Sequence, residues 1–279
     1  MGHIAIYAAN ILLVVSWMVF SFLFWRGLRR WAIEEDHIFD LTFYSTLVAF
    51  AAARLGFVFT HGELFAGKSI LLVAALWISP GLSWIAALVG GLATVVLLSR
   101  QYKVRLGLVL DVLATALPLP MIIGEIASLL NGLEIGAKTT VPWAVHFVGV
   151  TGGRHPVQVY EMAALVCLSW LVIRITDHAA RKKWAYGMIG IWFFLCYSVL
   201  MFMLEFMKDS HVYWGGLHVN QWILVGIFAE CIGVVYVRGG GRETFRPYTH
   251  AVRSFLEEKG KKFYATISKR RARGPKESS

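Results

Sequence analysis

Seven stretches of this chain stay apolar for long enough to cross a bilayer. They fall near residues 4–25, 40–60, 82–99, 107–130, 157–175, 187–207 and 220–237. Roughly 20 consecutive apolar residues span the hydrocarbon core as a helix. The pattern therefore predicts an all-α polytopic membrane protein of about seven transmembrane helices. A further apolar piece, 69–79, stops at Pro80-Gly81. It is too short to span and is expected to lie in the interface or to re-enter. Of the 279 residues, 57% are hydrophobic and only 16% charged, which excludes an ordinary soluble domain.

The polar breaks between these stretches set an orientation. Arg26, Arg29 and Arg30 follow the first stretch, Arg100, Lys103 and Arg105 the third, and Arg174, Arg181, Lys182 and Lys183 close the fifth. The part from Arg238 onward is also rich in lysine and arginine. Lys68, Lys138, Arg154 and Lys208 are the cations of the opposite side. Cytoplasmic loops carry the excess of lysine and arginine, so the amino terminus is expected outside and the carboxyl tail in the cytoplasm. Two parts result: a transmembrane helical domain over 1–238, with an outer loop at 131–155, and a basic tail over 239–279. The net charge of +10 is mostly tail. A basic segment beside a membrane suits anionic lipid headgroups, and no nucleic-acid partner is expected. The first stretch is too long for a signal core and lacks a small-residue cleavage site, so it reads as a retained anchor.

Cys167, Cys196 and Cys231 all fall in apolar stretches without ligand spacing and read as packing residues. No zinc signature, phosphate-binding glycine loop or dinucleotide motif is present, so no metal and no cofactor are expected. No internal repeat appears, which leaves a transporter of duplicated halves unsupported.

Against this apolar background, polar groups inside the membrane are candidate functional residues. Arg154-His155-Pro156-Val157-Gln158-Val159-Tyr160-Glu161 opens the fifth stretch with a cation, an imidazole, an amide, a phenol and a carboxylate. A helix start at an interface would also explain it, with Pro156 near the first turn and Tyr160 as an anchor. Arg54 lies inside the second stretch and Glu125 inside the fourth, and each would keep its charge by pairing with the other. Asp111 is expected to pair with Arg105 and receives no role. Glu205 and Lys208 stand three residues apart near the outer end of the sixth stretch, Tyr197 shares a face with Glu205, and Gln221 opens the seventh. Asn131 and Gly136 sit in an outer loop long enough to suggest binding work. Together these groups would enclose a polar chamber within an apolar bundle, suited to an amphiphile with a charged head.

These residues resemble the prolipoprotein diacylglyceryl transferases of bacterial inner membranes. Arg154 to Glu161 is similar to the family's R-H-P-S-Q-L-Y-E, and Arg54-Leu55-Gly56-Phe57 to its R-L-G-Y. Gly81-Leu82-Ser83, Asn131-Gly132 with Gly136 and Val141-Pro142-Trp143, Phe202 to Phe206 with Lys208, and Gly216-Leu217 with Gln221 follow in the family's order. The resemblance implies transfer of diacylglycerol from phosphatidylglycerol, or another anionic phospholipid, to the lipobox cysteine of a prolipoprotein. It implies His155 or Tyr197 as the group assisting thiol deprotonation, because the thiolate is the nucleophile. Arg54, Glu125, Asn131, Gly136, Arg154, Gln158, Tyr160, Glu161, Glu205, Lys208 and Gln221 would line the substrate site.

Several family positions are replaced: Ile85, Glu125, Ser128, Leu133 and Met201 stand where the family has histidine, arginine, asparagine, glutamate and arginine. Glu125 reverses a charge that would face phosphate, a change of about 4 kcal/mol at close range in an effective dielectric near 20. Two readings stay open. One is a diverged transferase in which Arg54, Arg154 and Lys208 hold the phosphate. The other is a non-catalytic relative that binds anionic lipid, a lipoprotein or a membrane partner. A small-molecule transporter would explain the intramembrane charges but not the ordered motifs.

Overall fold

The computed structural model describes residues 2–67, 71–75, 78, 81–132, 134–209, 213–238 and 259. Its chain divides into a compact unit Met1–Phe228 and a second unit Ala229–Ser279. Apart from Lys259, the basic tail expected over 239–279 lies outside the described residues.

Helices α1 (Gly2–Arg29), α2 (Glu35–Thr60), α4 (Trp84–Gln101), α7 (Val157–Lys182), α8 (Met188–Glu205) and α9 (Val219–Arg238) account for six of the apolar stretches. Each is long and apolar enough to cross a membrane. Between α2 and α4, the short apolar piece forms the single turn α3 (Leu71–Ala74). The chain is a multi-pass α-helical membrane protein.

Expected as one span, 107–130 is instead two helices. α5 (Leu106–Ala116) and α6 (Pro118–Asn131) meet at a 48° bend across Leu117. Pro118 and Pro120 are the cause. Each lacks a backbone N–H and crowds the carbonyl four residues back, so a straight helix cannot run through them. α6 then ends at Gly132, whose left-handed φ of 60° lets its N–H reach the Leu129 carbonyl at 3.2 Å. An addition to the all-helical pattern is a small hairpin, β1 (Tyr213–Trp214) with β2 (Leu217–His218), leading into α9.

Small residues let the helices approach, as membrane packing requires. A Cβ on Gly90 would strike the Ala52 Cβ at 2.6 Å, so α2 and α4 lie nearly backbone to backbone there. Phe24 and Leu28 of α1 pack with Ile38 and Leu41 of α2 and Val109 and Val112 of α5. Leu168 and Val172 of α7 pack with Ala114 of α5 and Phe193 of α8. Leu165, Met201 and Leu224 join α7, α8 and α9. Elsewhere Val166, Trp170 and Ile173 of α7 stay exposed, as lipid-facing residues should.

Asp111, expected to pair with Arg105, takes a role in holding another helix. Its carboxylate accepts the Gly187 N–H at 2.7 Å and the Gly190 N–H at 2.8 Å, capping the start of α8 from a neighbouring helix. Arg105 lies over the Tyr186 ring, 5.2 Å from its centre. A carboxylate on free N–H groups at a helix start satisfies donors that have no partner within the helix. Asp111→Ala should cost about 1–2 kcal/mol, with Asn recovering part of it. Thermal unfolding in detergent checks this, and an unchanged midpoint would refute it.

Candidate functional site

The site is built where α6 ends, α7 begins and α8 ends. From α6 the chain runs through the loop 132–156, which is held by backbone pairing rather than by a helix. Gly136 bridges Lys208, with Ala137 N donating to Met207 O at 2.7 Å and Asp209 N to Ile135 O at 2.8 Å. Val145 and Arg154 exchange both backbone hydrogen bonds at 2.9 Å. The residues just past α8 are thereby pinned against the loop that precedes α7.

This pinning gathers the carboxylates. Lys208 Nζ lies 2.5 Å from Glu134 Oε2, 2.8 Å from Glu161 Oε1 and 3.4 Å from Glu205 Oε2. Glu161 and Glu205 are both nearly fully buried. Burial alone would pull the Lys208 pKa down, but Glu161 and Glu134 outweigh it and raise it, so the ammonium persists through the neutral range. Glu125 of α6 faces Glu161, Glu134 and Lys208. Tyr197 of α8 stacks on Phe193 at 6.0 Å and faces the same carboxylates. Fully buried Gln158 donates Nε2 to the Glu134 carbonyl at 2.7 Å.

The other side of Glu205 is held from α9. Asn220 Nδ2 donates to Glu205 Oε1 at 2.9 Å, and His218 Nδ1 stands 3.6 Å from the same oxygen. Gln221 accepts the His218 N–H at 2.9 Å and donates to the Phe202 carbonyl at 3.3 Å. It therefore ties the hairpin to α8. Asn131, the last residue of α6, is half-buried at the mouth of the loop.

Arg154 and its neighbours divide among three tasks. Arg154, itself buried, forms an ion pair with Asp209 and donates to the Gly136 carbonyl at 3.3 Å. His155 Nδ1 meets the Tyr160 hydroxyl at 3.2 Å, and that hydroxyl accepts the Trp143 Nε1–H at 2.7 Å. Gln158 and Glu161, three residues apart on one face of α7, belong to the Lys208 network.

The pair expected between Arg54 and Glu125 gives way to separate partners. Arg54 Nε donates to the Val73 carbonyl at 2.5 Å and Nη1 to the Gly81 carbonyl at 3.0 Å. Its guanidinium lies 5.3 Å from the Phe65 ring centre and 5.7 Å from that of Phe57. Val73, within α3, and Gly81, ahead of α4, offer these carbonyls, and a guanidinium with its fork of donors meets both. Among the replaced family positions, Met201 is buried against Leu165 and Leu224, Ser128 is half-buried, and Ile85 is exposed. Leu133 lies outside the described residues.

Sequence reasoning left out Asp209, His218 and Asn220, and gave Glu134 no role. For Asp209 the only local signal was a carboxylate beside Lys208 just past an apolar stretch.

A multi-pass helical bundle that closes an ionic network between three of its spans is a membrane protein with a protein-lined intramembrane site. The family model described as prolipoprotein diacylglyceryl transferase matches residues 1–237, and the chain belongs to that family. Among its relatives, the phosphatidylglycerol–prolipoprotein diacylglyceryl transferase of Chromohalobacter salexigens is 29% identical over 206 residues, covering 72% of this chain and 75% of that protein. The protein of the same name from Bordetella parapertussis is 31% identical over 198 residues, 67% of this chain and 72% of the relative. That from Geobacter sulfurreducens is 25% identical over 212 residues, 75% and 80% respectively.

Proposed function

We propose that this protein moves the diacylglyceryl group of phosphatidylglycerol onto the lipobox cysteine of a prolipoprotein, at the outer face of a bacterial inner membrane. The observation that carries the reading is the family match over 1–237, which includes every helix that builds the Lys208 network. The enclosed polar groups within an apolar bundle suit a substrate with a charged head and lipid tails.

In this reaction the cysteine sulfur attacks the glycerol carbon that bears the phosphate. A carbon–sulfur bond forms, the carbon–oxygen bond to phosphate breaks, and glycerol phosphate leaves with the electron pair. The thiol proton must be removed first, because the thiolate is the nucleophile. His155, held by Tyr160, is the candidate to take that proton, and Tyr197, facing the Glu125 and Glu161 carboxyls, would assist as a hydrogen-bond donor. Arg154, whose Nε–H is buried with no hydrogen-bond partner among the described residues, is the candidate donor to the leaving phosphate, and Arg54 ties the Val73 carbonyl of α3 to the Gly81 carbonyl ahead of α4.

Purified protein in nanodiscs containing phosphatidylglycerol should convert a lipobox peptide into a product heavier by one diacylglyceryl group. Tyr197→Phe should lower turnover by on the order of 100-fold while the protein stays folded. No product above a boiled control, under conditions where the Bordetella relative gives one, would sink the proposal.

A further inference from the structure

The end of the bundle opposite the Lys208 network holds a cavity of its own. α8 runs from one end to the other, with Gly187 before its start and Glu205 at its close. The cavity has a volume of about 470 Å³ and lies where α1 and α4 end and α2 and α5 begin. That size suits a ligand headgroup. Two aromatic pairs wall it. Trp31 meets the Tyr186 ring edge-on at 5.4 Å, and His37 stacks on Tyr102 at 4.2 Å. Lys103 and Arg105 line it beside them.

These two cations stand where their charge is not offset. Arg105 precedes the first turn of α5, and no acidic side chain stands in that turn. Positive charge at the positive end of a helix is unfavourable. Among the described residues, ion contacts at this end join Arg29 to Glu35 at 2.7 Å and bring His37 within 3.8 Å of Glu34; Lys103 and Arg105 take part in neither. Asp111 of α5 is turned to the start of α8, and Asp40 accepts the Tyr102 hydroxyl at 2.5 Å. Glu34, the carboxylate of the lining, has a side chain 78% exposed. Arg105 rests on the Tyr186 ring, 5.2 Å from its centre. A guanidinium that spends its face on a ring keeps the N–H groups of its edge for an anion. Topology alone would put lysine and arginine on this side. It does not require them to share a cavity with these rings.

We infer that this cavity takes the phosphate of an anionic phospholipid from the leaflet opposite the Lys208 network, the cytoplasmic leaflet in the expected orientation. Lys103 and Arg105 would hold the phosphate oxygens, and Trp31 and Tyr186 would lie against the glycerol and the first carbons of the tails. Depth favours a lipid over a soluble phosphate. α1, α2 and α4 are long and apolar enough to span, and each has an end at this cavity, which puts it at headgroup level. Trp and Tyr belong at that level, and Trp31 and Tyr186 are both exposed there. Basic pockets between spans on the cytoplasmic side suit anionic headgroups. One bound lipid would then tie together the α1–α2 turn, the α4–α5 turn and the residues before α8. The inference does not depend on the reaction proposed for the other end.

Photolabelling tests it. Full-length protein in detergent is given phosphatidic acid with a photoreactive group on the first carbons of one acyl chain, in an excess of unlabelled phosphatidylcholine with matched chains. Label should fall on peptides covering 31–37 and 102–108. Lys103→Gln combined with Arg105→Gln should lower that yield about tenfold, the loss expected when a charge-assisted contact goes. Because these cations also help to set topology, Trp31→Glu is the second variant. It keeps every lysine and arginine, puts a carboxylate beside the cations and should lower the yield by a similar factor. Unfolding midpoints show which variants are folded. Label confined to the segments of the Lys208 network, or a yield at 31–37 and 102–108 that a folded variant leaves unmoved, overturns the inference. So does a phosphatidylcholine probe with the same photoreactive group that labels these segments of the unchanged protein equally. Excess inorganic phosphate should leave the label in place, since the tails help to hold the lipid. Loss of label to it makes the occupant a soluble anion and overturns the lipid as its source.

Discussion

Lys208→Met should be among the most damaging single changes in this protein. Lys208 is the cation that Glu134, Glu161 and Glu205 share, and Glu161 and Glu205 are nearly fully buried. Removing it leaves carboxylates packed together without their counter-ion. Breaking a buried ion pair from one side costs about 3–5 kcal/mol, because the remaining charge stays desolvated. Glu205 keeps Asn220, but Glu161 and Glu134 lose their shared contact. The expected result is a lower unfolding midpoint in detergent together with loss of peptide lipidation. Pairing Lys208→Met with Glu161→Gln should recover part of the stability but not the activity, since it removes an unpaired charge without restoring the ammonium. If the double variant melts no higher than the single one, repulsion among the carboxylates is not the cause of the damage.

The transmembrane pattern was legible because the bilayer selects for long apolar runs, and those runs have no other common reading. The break in the fourth run was less so. Hydropathy runs on through Leu117, and the bend comes from Pro118 and Pro120, too few to interrupt the apolar run. The candidate site was legible as a set of residue types but not as an arrangement. Arg154 to Glu161 reads as one cluster along the chain, yet successive helical residues turn by about 100°. Gln158 and Glu161 therefore face the Lys208 network, while Tyr160 turns away toward His155 and Trp143. Arg54 and Glu125 looked like natural partners because each is an isolated charge in an apolar run. Chain connectivity instead offers Arg54 the Val73 carbonyl of α3 and the Gly81 carbonyl ahead of α4. The pairing of 135–137 with 207–209 joins segments some seventy residues apart, and no periodicity in either one announces it.

That pairing makes Gly136 the position where a single methyl group should do the most harm. Gly136 is buried, and a Cβ there would overlap the His155 carbonyl and press on Val157 Cγ2 at 2.9 Å. The obstacle is backbone, which cannot rotate aside as a side chain can. It is also fixed from both directions, by His155 N on the Ala137 carbonyl at 3.1 Å and by the bridge from Gly136 to Lys208. Forcing one extra carbon into such a space costs about 1–3 kcal/mol. The effect on function should be larger than the effect on stability. Relief of the overlap moves either His155 with the start of α7, or the segment past α8 that holds Lys208 among its three carboxylates. Displacement of a positioned group by about 1 Å costs on the order of 100-fold in rate. Gly136→Ala should therefore lower the unfolding midpoint moderately and lipidation by two orders of magnitude. Gly124→Ala in α6 is the matched comparison, because a Cβ there meets nothing within 4 Å. It should be neutral or stabilise by roughly 0.5–1 kcal/mol through helix propensity. If both alanines behave alike, space at Gly136 is not what holds the loop against the end of α8.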